Sequence, residues 1–226
     1  LDGTQNILWW PIDRLEDVHT WMFNRYVSKT HVLRTGLKPG EYHGVEDRVL
    51  HGLFTELVDF IEIEKAWHHC ACDKEARKKY GSPWTFRRFR MSEWRCPEAG
   101  LAHLEWERHL KYDEEMGVQP GSPEYGTPTG QALGAQELLR LYNWWKTDRP
   151  ARSDPYEESG WSDLCARKRE GKDDIMEMLN SDNETPEERV EKRLSLDTLH
   201  ELEEKYDEED TAMLTTVIRI RKSMWT

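Results

Sequence analysis

From Val45 to Tyr80 no residue breaks a helix, and this one stretch limits the fold more than any other part of the chain. Leu50, Leu53, Phe54, Leu57, Phe60, Ile61 and Trp67 recur at steps of three and four, which lines them up as one apolar stripe of an α-helix. Unbroken, such a helix is about 50 Å long at ~1.5 Å per residue. A stripe of that length has to be covered by other helices, so the 45–80 element is the expected spine. Gly81-Ser82-Pro83 ends it.

The rest of the chain follows the same logic. Residues 1–12 form an apolar lead-in closed by Pro11, and Asp13 caps a helix over about 14–31 that carries Val18, Trp21, Met22 and Tyr26 on one side. Gly36, Pro39, Gly40 and Gly44 punctuate a loop. After a short aromatic and basic connector, Pro97 opens a helix expected to reach about 116. Four Gly and three Pro make 117–130 irregular. A helix over about 131–147 places Ala135, Leu138, Leu141, Tyr142 and Trp145 together, and a short helix is expected near 161–179. Leu196, Leu199, Glu203, Tyr206, Asp210, Met213, Val217, Ile220 and Met224 then alternate steps of three and four, a heptad seam along a long terminal helix. The expectation is an all-α, multi-helix bundle around the 45–80 spine. It comprises a 1–150 helical core domain, a charged and partly irregular 151–185 connector, and a 186–226 helix that packs on the core or on a partner subunit.

Composition narrows the class of function. The chain has 226 residues, 37% hydrophobic and 34% charged, and its eleven Trp, eight Tyr and five Phe compensate for a polar average with large buried areas. Thirty-two Lys and Arg against 44 Asp and Glu give a formal charge of −12, which disfavours general attraction to nucleic acid or anionic membrane. No apolar run approaches the roughly 18–20 residues that span a bilayer. No basic-then-apolar signal segment opens the chain, and Leu1 in place of Met points to an upstream piece removed or left out. The four cysteines lack a C-x-x-C pair, which fits reduced thiols in a cytosol.

The stretch Val27–Trp67 (VSKTHVLRTGLKPGEYHGVEDRVLHGLFTELVDFIEIEKAW) and the ending DEEDTAMLTTVIRIRKSMWT resemble a group of uncharacterised helical proteins encoded by tailed bacteriophages. The resemblance implies a phage setting and carries no catalytic motif. No functional residue is transferred through it.

Four constellations could carry chemistry. In helical projection Glu64 and His68 fall inside the apolar arc of the spine, and Glu105 and His109 fall between the two apolar flanks of the 97–116 helix. Inward acids need a partner, and carboxylate-bridged metal sites of helical bundles use inward Glu and His, although with an E-x-x-H step instead of the i,i+4 step found here. Glu203 and Asp210 on the terminal seam would add oxygen ligands for Mg²⁺ or Mn²⁺. The alternative is that each Glu bonds its own His or a nearby Arg and fixes helix register. Second, His68-His69-Cys70-Ala71-Cys72 with Cys96 offers zinc-type ligands, but Cys70 and Cys72 project about 200° apart on a helix. Third, Trp84, Phe86, Arg87, Arg88 and Arg90, followed by Trp94 and Arg95, could stack bases and hold phosphates of a single strand, or dock their aromatics on the core while the arginines pair with carboxylates. Fourth, the acidic runs at 201–204 and 207–210 fit a basic partner surface or a solvated helix face. Phosphate-cradling glycine loops, H-E-x-x-H and G-x-S-x-G are missing from the chain.

The expected function is therefore a phage-type protein acting through protein contacts or self-association, without catalysis, in the virion or the host cytoplasm and neither secreted nor membrane-bound. One alternative is a metal-dependent hydrolase of nucleotides or phosphoesters built on Glu64, His68, Glu105 and His109, with a divalent ion (Mg, Mn or Zn) as its only cofactor. The other is single-strand binding through the 84–95 segment.

Overall fold

A computed structural model describes residues 14–27, 32–81, 94–169 and 185–224. Among the described residues the chain is all-α, and the only pairing of extended backbone is an isolated bridge between Lys111 and Pro128. No described helix is long and apolar enough to cross a membrane. Contacts divide the chain into two compact units, Leu1–Tyr142 with Val217–Thr226, and Asn143–Thr216.

In the first unit, helix α1 covers 14–22 and widens into a π-helical turn at Phe23–Val27. The spine begins with α2, Val45–Asp59, passes through a π-helical segment at Phe60–Lys65 and continues as α3, Ala66–Cys72. The apolar stripe forms as its spacing predicts, with Leu50, Phe54, Leu57, Phe60 and Ile61 buried. The expected unbroken run to Tyr80 does not form. Asp73 adopts an extended backbone (φ −111°, ψ 123°) and its side chain accepts the Glu75 N–H at 2.9 Å, which caps a separate helix, α4, at Lys74–Tyr80. The carbonyls stranded at the end of α3 are satisfied by Arg77, whose Nε donates to Cys70 O at 2.9 Å and whose Nη2 donates to Ala71 O at 2.7 Å. An aspartate within a helical pattern thus acts as a stop and a start together.

Helix α5 spans Pro97–Glu107, shorter than the 97–116 expected. Beyond it the backbone makes turns, closed where Tyr112 N–H donates to Thr127 O (3.0 Å) and Thr129 N–H donates to Leu110 O (3.1 Å). Helix α6, Gly130–Asn143, starts at Thr129, whose Oγ1 accepts the Ala132 N–H at 3.0 Å, and buries Ala132, Ala135, Leu138, Leu141 and Tyr142. Helix α5 packs on the π-helical segment and on α3. Gly100 makes this approach feasible, because a Cβ there would overlap the Ile61 carbonyl oxygen.

The second unit holds a π-helical turn at Trp144–Asp148, then α7 at Pro155–Glu158, α8 at Trp161–Arg169, and α9 at Pro186–Ile220 as far as Thr216. The start of α9 is a reciprocal cap: Thr185 N–H donates to Glu188 Oε2 at 2.7 Å, and Glu188 N–H donates to Thr185 Oγ1 at 3.3 Å. Along α9 the heptad seam faces inward at Leu199, Tyr206, Asp210 and Met213 but not at Glu203, which is exposed.

Candidate functional site

The two acid–histidine pairs do not face inward. Glu64, Glu105 and His109 are exposed and His68 is half-buried. The cause on the spine is the π-helical segment. In a continuous α-helix Glu64 lies about 20° from Leu57 around the axis and Glu62 about 140° away. A π turn takes in more residues per revolution, so the helix beyond Phe60 is rotated, by roughly one residue's turn at Lys65. The buried positions then run Phe54, Val58, Glu62, Ala66 and Cys70, a step of four that an α-helix would let drift by about 40° each time. Helix α5 is turned for a different reason. Its inner face is Ala99, Gly100, His103, Leu104 and Glu107, with small residues at the point of closest approach, so Glu105 points outward to pair with Arg108 at 2.8 Å. His109 lies past the end of α5, where its Nδ1 meets Glu105 O at 2.8 Å.

The inward acidic and basic residues of the first unit, among those described, are instead Asp59, Glu62, Lys65, His103 and Glu107. Glu107, 2% exposed, accepts on one oxygen from Lys65 Nζ and from Gln131 Nε2, both at 2.7 Å. His103 Nε2 stands 3.2 Å from that oxygen, within ion-pair range but off hydrogen-bond alignment. Burial alone pushes the Glu107 carboxyl up, and the contacts from His103, Lys65 and Gln131 override it, holding it down at about 2. Glu62 accepts from the Tyr142 hydroxyl at 2.8 Å on one oxygen and from Arg95 on the other. Arg95 also bonds Asp59, whose second oxygen takes Arg34 Nη2 at 2.7 Å. Burial and the bond to Glu62 push the Tyr142 hydroxyl above its ordinary range. The Cys96 N–H donates to the Glu62 backbone carbonyl at 2.8 Å, so the π segment also receives the entry into α5.

Chemically this arrangement ties α2, the π segment, α5 and α6 together, with each of its carboxylates bonded to a protein cation. Among the described residues no group of three or more His, Cys, Asp or Glu is placed to hold a metal ion. The inward acid–histidine geometry that motivated a metal-dependent hydrolase is therefore replaced by an ion-paired core. On α9, Asp210 pairs with Arg149 Nη2 at 2.9 Å and with Arg152 Nη1 at 2.7 Å in the second unit, while Glu203 remains in solvent. The zinc-type residues do not gather into a metal-holding set. Cys70 is buried with Ala66 and Ala99, Cys96 packs at the edge of that cluster, and Cys72 is exposed with Sγ 3.8 Å from His68 Nε2. All four thiols are free, and burial pushes Cys70 and Cys96 up, away from thiolate character. Trp84, Phe86, Arg87, Arg88 and Arg90 lie outside the described residues. Arg95, the described arginine next to them, is committed to Asp59 and Glu62.

Two surface features were not anticipated as such. One is the apolar side of α1, where Leu15 (70% exposed), Val18, Trp21 (57%), Met22 and Tyr26 all face solvent. Arg25 stands over both Trp21 and Tyr26, 5.6 Å from each ring centre. The sequence marks this stripe by its spacing but not by its exposure. The other is a run of rings on α3, α4 and α5. His68 and His69 lie 5.0 Å and 5.5 Å from His103, His69 lies 5.9 Å from Tyr80, and His103 lies 5.5 Å from Trp106. Burial first, and then His103, pushes His68 and His69 below the ordinary imidazole range, so both are neutral rings at pH 7.

No protein-family model matches this chain, and neither a curated protein nor a solved structure is similar enough to it to support a comparison.

Proposed function

We propose that this chain is a phage-type helical protein that works through protein contacts, with α1 as a ligand helix for an apolar groove on a partner. The exposed stripe of α1 carries the proposal. Leu15, Val18 and Met22 follow the spacing by which an amphipathic helix fills a groove, and Trp21, Arg25 and Tyr26 are the residue types that dominate binding energy at interfaces. Large apolar side chains exposed side by side in this way mark interaction sites more often than single exposed ones do. The net charge of −12 opposes close approach of two copies and favours a partner whose groove has a basic rim. The phage setting rests on the resemblance of 27–67 and 207–226 alone.

The test compares wild type with Leu15→Glu/Met22→Glu, both isolated from the cell in which the chain is naturally made, with helicity checked by circular dichroism. The expected result is that wild type carries one basic protein in stoichiometric amount and the variant, equally helical, loses it. A wild-type chain that sediments alone, or a variant that keeps the same partner, overturns the proposal.

A further inference from the structure

A tryptophan held on a buried ring but left open to solvent is an unusual use of its area. Trp106 is 56% exposed, while His103, against which it lies at 36°, is almost fully buried. The indole therefore has a rigid support on one side and water on the other. His103 continues to His69, and His69 to Tyr80, so one uninterrupted series of rings crosses from α5 over α3 to the end of α4. Cationic groups stand beside it. The last turn of α4 carries Arg77, Lys78 and Lys79. Arg77 is consumed in capping α3, whereas Lys78 and Lys79 are exposed, with the Lys79 ammonium 4.7 Å from the Tyr80 ring centre. Lys79 is also near enough to His69 to depress its protonation.

We propose that this α3–α4–α5 surface binds single-stranded nucleic acid, with a base stacking on Trp106 and phosphates meeting Lys78 and Lys79, while Tyr80, packed on the core beneath Lys79, closes the ring series. Flat rings next to lysines are the two components of sequence-tolerant single-strand binding. A duplex keeps the faces of its bases covered and gains nothing from the rings, so the surface selects for single strands. The local excess of lysine on α4 stands within a chain of net charge −12, which makes the binding weak and steeply dependent on salt. This site does not involve α1, and it stands or falls separately from the contact role assigned there.

The experiment is a fluorescence-anisotropy titration of a labelled oligothymidylate with the full chain at low salt, with the same label on a duplex as the second arm. The expected result is saturable binding of the single strand and much weaker binding of the duplex. Trp106→Ala should weaken single-strand binding by roughly 5- to 160-fold, the range that loss of one base–aromatic stack gives. Lys78→Gln/Lys79→Gln should lower the slope of log affinity against log salt by about 1–2. Because Trp106 and both lysines are exposed, the variants are expected to keep wild-type helicity. Failure of wild type to bind at low salt, equal binding of the duplex, or unchanged affinity in Trp106→Ala each overturns the proposal.

Discussion

Both units use acids, guanidinium groups and aromatics to hold helices together, but they differ in how much water those groups keep. In the first unit Glu62 and Glu107 are buried to the last few per cent, and the partners of Glu107 include a buried lysine. In the second, Asp210 is bound by Arg149 and Arg152, Glu209 accepts from Trp144 Nε1 at 2.6 Å and pairs with Arg152 at 3.0 Å, and Arg152 lies over the Trp144 and Tyr206 rings. Asp210 is 19% and Glu209 37% exposed at the side chain. The chemistry is similar and the stakes are not. A charge stripped of water is costly once its partner is removed, whereas a partly hydrated one recovers solvent.

The largest expected effect follows from that difference. Lys65→Met leaves Glu107 buried without its cation and should destabilise the first unit by about 3–5 kcal/mol in urea denaturation. Lys65→Met/Glu107→Leu, which removes both charges, should recover most of the loss. If the single variant is no worse than the double, the two networks are equivalent and the contrast fails. Next is Gly100→Ala, which sets a methyl group against the Ile61 carbonyl and should cost about 1–3 kcal/mol by forcing α5 off the spine. Asp210→Ala in the second unit should cost about 1–2 kcal/mol, because Arg149 keeps some water and Arg152 keeps its pairing with Glu209.

The smallest effects are read from pH. His68 and His69 are held below 6.5 in the folded chain, so the unfolded chain takes up their protons first. Their contribution is complete above pH 6.5 and declines as pH falls below it. Glu107 is held down from 4.5 to about 2, so its contribution is complete above pH 4.5 and is lost as pH falls toward 2. Urea midpoints measured against pH should show two separate declines, and His68→Gln/His69→Gln should remove only the upper one.

Much of the architecture was legible from spacing. The stripe through Leu50, Phe54, Leu57 and Ile61, the glycine- and proline-rich loop before α6, and the long terminal helix all form where the pattern places them. The inward polar residues were not legible, and the reasons are local. Projection at a constant 100° per residue cannot register the widening at Phe60–Lys65, and it therefore exchanges Glu62 for Glu64. On α5, projection sets Glu105 and His109 between two apolar flanks, whereas helices approach most closely where side chains are smallest. Ala99-Gly100, followed by His103 and Glu107 one and two turns on, was the available signal. The stop at Asp73 was visible as an N-cap residue within a helical run, but it was outweighed by the absence of Gly and Pro from 53 to 80.

The widened turn at Phe60–Lys65 also sets where the length of this chain can change. Loops absorb gained or lost residues by rerouting, but a helix transmits any change in count as rotation of everything downstream. Deleting one residue between 60 and 65 would let the spine relax to an ordinary α-helix and swing Lys65, Cys70 and the Arg77 cap away from α5. Related chains should therefore keep a fixed number of residues here even where the residues themselves differ, and should vary in length around 117–126 instead.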